Sequence, residues 1–333
     1  MLVAIERSYR MSVIGTAARV DANPHEKFNN LVAAARKHAP AKTAVAHPCD
    51  SSSLTAVVEA ANLKLIDPIL VGPEQRIRAV AADSSLDISR FEVVDAEHSH
   101  DSAAKAVALV REGRVEALMK GSLHTDEIMG AVVARDTGLR TSRRISHCFV
   151  MDVPDHDQPL IITDAAVNIA PDLKVKVDII QNAIDLAHAM FQGEVRVAIL
   201  SAMETVNPDV PSTLEAAALC KMADRGQITG AVLDGPLALD NAISPEAAKI
   251  KGIVSPVAGR ATILVVPDLE AGNMLAKSLS FLADADAAGI VLGAKVPIIL
   301  TSRADEKTAR LASCAVALLL VAARRANSTS AIQ

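Results

Sequence analysis

Three observations predict an α/β fold. Short apolar runs of β type recur along the chain, and each ends in a Gly, Pro, Asp or Ser cluster ahead of a stretch with helical period, the pattern of βα units around a sheet. Half of the 333 residues are hydrophobic but only 2% are aromatic, so the interior must be built from Ala, Val, Leu and Ile, which suits helices packed on buried strands. The most apolar run, CAVALLLVAA at 314–323, lies between Arg310 and Arg324. It is about half the length that spans a bilayer and reads as a buried helix segment. The length favours two domains or one large α/β unit.

The runs read as strands are TAVAHP (43–48), PILVGP (68–73), EALMKG (116–121), PLIITD (159–164), VRVAILS (195–201), TGAVLDGP (229–236), ATILVVPD (261–268) and PIILTS (297–302). Helix starts support the alternation. Thr125 with Asp126 and Glu127 places an acceptor and negative charge at a helix N-terminus, and Ser212-Thr213-Leu214-Glu215 fits a capping box. Leu311, Cys314, Ala315, Leu318 and Leu319 follow a 3.6-residue period, after which polar ANSTSAIQ is expected to fray and the fold to end near Arg325. The polar, Pro-containing MDVPDHDQP (151–159) breaks the pattern and is expected near a domain boundary.

Composition narrows the function. A formal net charge of -5 offers no global attraction for nucleic acid or an anionic membrane, and no Trp with a single Tyr leaves few stacking platforms for bases. An anionic ligand must therefore meet a local basic site. Cys49, Cys148, Cys220 and Cys314 form no C-x-x-C pair and read as free thiols in a reducing cytoplasm. The opening MLVAIERSYRMSVIG is broken by Glu6, Arg7 and Arg10 and lacks the apolar core of a signal peptide. His98-Ser99-His100-Asp101 and Asp155-His156-Asp157 lack the spacing of a metal site. There is no G-x-x-x-x-G-K-[ST], G-x-G-x-x-G or G-x-S-x-G, which argues against a nucleotide triphosphatase, a nicotinamide dehydrogenase and a serine hydrolase.

Ligands of α/β proteins bind beyond the carboxyl ends of strands. Lys120-Gly121-Ser122-Leu123-His124-Thr125 leads from a strand into a helix. Gly121 lets the backbone come close, the helix N-terminus offers amides and Lys120 adds charge, which together suit a phosphate; an ordinary βα turn reads the same way. Ser302-Arg303 sits at an equivalent turn, where a guanidinium grips a phosphate bidentately, or is a surface Arg with Asp305 as helix cap. Asp234-Gly235-Pro236, Asp240-Asn241, Thr163-Asp164 and the stretch from Pro267-Asp268 to Gly272-Asn273 each serve as a site or as a turn. Arg140, Arg143 and Arg144 form a basic cluster that suits a polyphosphate or a solvated face.

Taken in order, LMKGSLHTDEIMGAVV, GLRTSRRISHCFVMD, ITDAAVNIAPDL, LDGPLALDNA, PEAAKIKG, VVPDLEAGNMLAKSL and PIILTSRAD resemble the phosphate acetyl/butyryl transferase family, from about residue 40 to 325. The resemblance implies reversible transfer of an acyl group between coenzyme A and inorganic phosphate. Coenzyme A is then a substrate, and no metal or tightly held cofactor is required. It also implies two α/β domains with a cleft between them, similar to isocitrate and isopropylmalate dehydrogenases, in a homodimer. Residues 1–147 plus 295–333 would form the first domain and 148–294 an inserted second one.

By similarity Ser302 hydrogen-bonds the acyl phosphate or the attacking thiol, and Arg303 binds phosphoryl oxygens. Lys120, Gly121, His124 and Thr125 line the same cleft with Asp234 and Asn273 across it, and Arg140, Arg143 and Arg144 meet the phosphates of coenzyme A. A thiol with a pKa of about 8.5 calls for a base. The acetyl branch has an Asp six residues beyond the Arg, where this chain has Ala309, so Asp305 is the expected base and His124 the second candidate. The alternative is a non-catalytic acyl-coenzyme A-binding domain of the same fold.

Overall fold

The apolar runs marked as strands all enter one sheet. The protein is described by a computed structural model covering residues 26–154, 156–300 and 307–330. The predicted runs correspond to β1 (Ala41–Ala46), β2 (Ile66–Gly72), β4 (Ala117–Lys120), β6 (Leu160–Thr163), β7 (Arg196–Leu200), β8 (Val232–Leu237), β9 (Ile263–Val265) and β11 (Ile298–Ile299). Three further strands carry weaker signals: β3 (Glu92–Asp95), β5 (Ser146–Asp152) and β10 (Asp286–Leu292). β5 begins with Ser and His, β10 opens on Asp, two alanines and Gly289, and β3 is an edge strand of four residues, so none offers a long apolar run of β type.

The helices are α1 (Glu26–Ala35), α2 (Ser51–Asn62), α3 (Glu74–Asp83), α4 (Ser99–Arg111), α5 (Thr125–Val133), α6 (Leu173–Met190), α7 (Pro211–Asp224), α8 (Leu239–Ile243), α9 (Pro245–Ile250), α10 (Leu269–Leu282) and α11 (Lys307–Ser330). The capping box expected at Ser212 does not form. Pro211 already occupies the first helical position, where its missing N–H is no loss. The Thr213 hydroxyl turns to the Val210 carbonyl (2.8 Å), and Glu215 pairs with Lys176 instead. Nor does the last helix stop near Arg325: α11 runs to Ser330, because extending an established helix is far easier than starting one.

The sheet has eleven strands in the order β3-β2-β1-β4-β11-β10-β5-β6-β9-β7-β8. Two parallel blocks, β3-β2-β1-β4-β11 and β6-β9-β7-β8, flank β10 and β5. β10 is antiparallel to β11 and β5, and β5 is antiparallel to β6. Crossing the centre therefore reverses direction at each step, so the carboxyl ends of the two blocks point to opposite edges of the sheet. MDVPDHDQP closes the β5–β6 hairpin, with Met151 opposite Leu160.

One face of the sheet is covered continuously. Phe28, Leu54, Met119, Cys148, Ile180, Val197, Ile263 and Leu318 belong to one buried cluster that spans both blocks. On the other face the packing splits. Leu118, Ile128, Val291 and Ile298 form one cluster beside α4 and α5, and Met151, Ile162, Leu264 and Ala276 form another beside α8 to α10. Helix α11 packs on α1, α2, α6 and β10 and so ties the continuous face together.

Arg325 fastens the far end of α11. It grips Glu116 through Nε (2.7 Å) and Nη2 (2.5 Å) and also donates to the Ala39 and Pro40 carbonyls. The Arg325 hydrogen bond holds the Glu116 carboxyl below its ordinary value of 4.5. A lowered carboxylate pKa stabilises the fold above that ordinary value and loses the contribution as pH falls below it. Arg325→Ala should cost about 1–2 kcal/mol near neutral pH, and thermal denaturation along a pH series should show the gap from wild type narrowing below about pH 4.5.

Candidate functional site

The chain runs outward from β1 to β2 and β3 and then returns to β4 on the other side of β1. The carboxyl ends of β1 and β4 thus flank a topological switch point, where an α/β sheet opens a crevice. Helix α2 leaves β1 toward the continuous face, and α5 leaves β4 toward the split one. The two strand ends are bonded together. Gly121 N donates to the Ala46 carbonyl (2.8 Å), and Ser122 donates to the His47 carbonyl from N (2.9 Å) and Oγ (2.8 Å). A Cβ at Gly121 would lie 2.5 Å from the Ala46 oxygen and 2.6 Å from that of His47, so only glycine fits.

The neighbours of Gly121 bring charge and backbone amides to the same turn. Lys120 is buried at the end of β4, with Nζ 3.4 Å from the Gly121 carbonyl. His124 is the N-cap of α5 and Thr125 its first residue, so the helix amides face the same turn. The His124 backbone N donates to Glu127 Oε2 (2.7 Å). Glu127 also accepts from the Ser99 hydroxyl and lies 3.5 Å from His100; these bonds, that of Ser99 foremost, hold its carboxyl below the usual range. The predicted Lys120, Gly121, His124 and Thr125 therefore come together in one turn.

His47, which the sequence did not single out, completes this corner. It adopts a positive φ of 57°. Ser102 donates to the His98 carbonyl (2.8 Å) and so accepts from His47 Nδ1–H (2.9 Å). Burial, with Arg76 second, lowers the His47 pKa. The available signal was its place at the end of a β run just before Pro48.

Asn273 and Arg144 meet around the loop after β6. The buried Asp164 carboxylate accepts from the amides of Ala166 (3.0 Å), Val167 (3.0 Å) and Asn168 (3.2 Å) and from Asn168 Nδ2 (2.6 Å). Asn168 accepts from Arg144 Nε (3.0 Å), and Asn273 Nδ2 donates to the Ala165 carbonyl (3.3 Å). Arg143 is paired with Asp185 (2.5 Å), while Arg140 is exposed. Asp234 stands apart on the edge strand β8, its carboxylate accepting from Gly235 N (2.8 Å). From β4 it is separated by seven strand spacings of about 4.8 Å each along the sheet.

Ser302, Arg303 and Asp305 lie outside the described residues. The strand that leads to them is placed: Ile299 pairs with Met119 on β4, and Leu300 N donates to the Gly289 carbonyl (3.3 Å). Ala309 is buried in the first turns of α11, its carbonyl accepting from Ser313 Oγ (2.9 Å).

No group of three or more His, Cys, Asp or Glu among the described residues is placed to hold a metal. His98 instead caps α4 by accepting from Asp101 N (3.2 Å), and His156 bonds to the Gln158 carbonyl (2.8 Å). All four thiols are unpaired. Burial pushes Cys49 up to about 11 and Cys148, Cys220 and Cys314 up to about 12, which leaves them protonated and unreactive. No helix among the described residues is long and apolar enough to cross a membrane.

A parallel block with a bare-glycine turn, a buried lysine and a helix N-terminus at its switch point defines an α/β protein whose strand ends offer charge and amides of the kind that suit an anionic ligand. Residues 97–318 match the family described as Phosphate acetyl/butaryl transferase, and the chain belongs to it. It is 68% identical over 306 residues to a phosphate acetyltransferase of Rhizobium meliloti, across 92% of this chain and 97% of that one. To a phosphate butyryltransferase of Clostridium acetobutylicum it is 40% identical over 295 residues, covering 89% and 98%. The crystal structure of a branched-chain phosphotransacylase from Enterococcus faecalis superposes with a TM-score of 0.73 at 29% identity, covering 84% of this chain and 99% of that one. The α/β class expected from the sequence is the observed one.

Two measurements probe the site. Gly121→Ala should lower the thermal midpoint by the equivalent of about 1–3 kcal/mol, because the new methyl must push two carbonyls apart, and calorimetric titration should show weaker binding of inorganic phosphate. Mass spectrometry after iodoacetamide at neutral pH should find the four thiols unmodified in the native protein and labelled once it is unfolded.

Proposed function

We propose that the protein is a phosphate acyltransferase that moves a short acyl group, acetyl or butyryl, reversibly between coenzyme A and inorganic phosphate. The observation that carries this reading is the family match over 97–318 joined to 68% identity over 306 residues. The higher identity to an acetyl than to a butyryl relative, 68% against 40%, favours acetyl phosphate as the first donor to try.

In the forward direction the coenzyme A sulfur bonds to the acyl carbon and the bond from that carbon to the phosphate oxygen breaks. Phosphate leaves with the electron pair, and the thiol proton passes to a base. Arg303 grips the phosphoryl oxygens, Ser302 hydrogen-bonds the acyl phosphate or the thiol, and Asp305 takes the proton with His124 as second candidate. Lys120, Gly121 and Thr125 supply charge and amides at the same end of the first lobe. Asn273 and Asp234 belong to the second lobe, and Arg140, Arg143 and Arg144 meet the phosphates of coenzyme A. The Arg143–Asp185 pair must open for that contact, whereas Arg140 needs no such change.

Lobes of 1–147 plus 295–333 and of 148–294 face each other across the gap between the two packed clusters. The split packing on that face of the sheet supports a cleft there. No tightly bound cofactor takes part, and the working form is a cytoplasmic homodimer.

Mixing purified protein with coenzyme A and acetyl, propionyl or butyryl phosphate should yield the matching thioester. Binding of coenzyme A without turnover of any donor would instead indicate a non-catalytic binding domain. Arg303→Ala should reduce kcat/KM about 100-fold or more, the usual result of removing a group that stabilises transition-state charge; wild-type kinetics in that variant would take the role away from Arg303.

A further inference from the structure

Of the three arginines proposed to meet coenzyme A, one is held in place from several sides. Arg144 stands just before β5, and its backbone is bonded on both sides to α6: its N donates to Asp178 Oδ2 (2.8 Å), and its carbonyl accepts from Asn182 Nδ2 (3.0 Å). Gly293 packs so tightly on the same carbonyl oxygen that a Cβ there would lie 2.3 Å from it. The side chain is fixed as well, by Asn168, which is 5% exposed and accepts from Arg144 Nε (3.0 Å). Arg144 itself is exposed.

The Asn168 amide can point only one way. Its Nδ2 donates to the Ile145 carbonyl (2.9 Å) and to Asp164 Oδ2 (2.6 Å); with the amide reversed, its oxygen would face those two acceptors and its NH2 would face the Arg144 Nε–H. Asp164, 3% exposed, is locked in turn by the amides of Ala166, Val167 and Asn168. That loop crosses the gap between the two packed clusters: Ala165 belongs to the one beside α8 to α10, and Val167 packs against the one beside α4 and α5. Just before it, Thr163 Oγ1 ties the end of β6 to the His147 carbonyl on β5 (2.8 Å).

The arrangement orients a cation without cancelling it. Arg143, one residue earlier, faces the Asp185 carboxylate (2.5 Å), which neutralises much of its field. The partner of Arg144 Nε is a neutral amide instead, and among the described residues neither Nη1 nor Nη2 has an acceptor. With Nε–H engaged, the end-on pair of Nη groups remains, a fork that grips two phosphate oxygens at once. We propose that Asp164 and Asn168 are positioning residues that aim Arg144 at a phosphate of coenzyme A, which makes Arg144 the pre-set cation of the basic cluster. Holding the fork before the ligand arrives removes part of the rotamer entropy that a long side chain loses on binding. The identity of the ligand rests on the acyltransferase reading above, and the aim of Arg144 on these bonds.

Calorimetric titration with coenzyme A tests this in wild type, Arg144→Ala, Arg144→Lys, Asn168→Ala and the double variant Arg144→Ala with Asn168→Ala. Kd should rise about tenfold in Arg144→Ala and about fivefold in Asn168→Ala, the range expected when a charge-assisted hydrogen bond is lost or misaligned. Because Asn168 acts through Arg144, the double variant should bind no more weakly than Arg144→Ala, whereas independent damage to the fold would multiply the two losses. Arg144→Lys keeps the charge but loses the Nε–H and the fork, so its Kd should lie within about threefold of that of Arg144→Ala. In turnover the loss in Arg144→Ala should fall mainly on KM for coenzyme A, not on kcat or on KM for acetyl phosphate.

Wild-type affinity in any of the three single variants would overturn the proposal, and so would a double variant about fifty-fold weaker than wild type. Should Asn168→Ala not fold, Arg144→Lys decides in its place. A rise in KM for acetyl phosphate instead of coenzyme A would also overturn it. A wild-type protein that binds coenzyme A but turns over no donor sinks the acyltransferase reading alone, and the titrations then still decide the roles of Arg144 and Asn168. One that does not bind coenzyme A overturns the proposal.

Discussion

The antiparallel ladder between β5 and β10, from Asp286 opposite Asp152 to Leu292 opposite Ser146, is the constraint on which the rest of the molecule depends. It joins two parallel blocks into one sheet and reverses strand direction between them. On one face each block carries separate helices, α4 and α5 over the first and α8 to α10 over the second. The other face is spanned by α1, α6 and α11. A mixed sheet with one continuous and one interrupted face follows, and the interruption falls over the strands that carry His147 and Gly289.

The site around Gly121 follows from a second constraint, the crossing at the switch point. The β1 and β4 ends approach so closely that two carbonyls occupy the space a Cβ would need. The same approach brings the first amides of α5 beside Lys120. Charge, amides and a bare backbone thus share one corner because of chain path, with no side chain reaching far to assemble them. The loop after β6 is organised differently. There the Asp164 carboxylate collects four N–H donors, and Asn168 and Asn273 tie that loop to Arg144 and α10.

Much of this was legible in the chain. The strand runs, the Lys120–Gly121 turn and the buried stretch of α11 are local patterns of apolar period and turn chemistry, and they kept their places in three dimensions. β5 and β10 were not legible, because Ser, His, Ala and Gly give a strand no periodic signature and only the ladder between them supplies its stability. The capping box at Ser212 looked correct locally and lost to Pro211 one residue earlier. The pairing of Arg143 with Asp185, 42 residues away in sequence, was not legible either.

Sequence alone determined the α/β class, the aliphatic core, the absence of cysteine-pair and nucleotide-loop motifs, and the family, since these depend on composition, period and the order of motifs. Tertiary structure decided which of those motifs meet. It bonded the turn at Gly121 to the end of β1, left Asp234 at the far edge, and set His147 beside Gly289 with a nitrogen unsatisfied. The reason is physical: strand order and direction are set by pairing between distant segments, and burial of a polar group becomes visible only when every neighbour that might satisfy it has been placed.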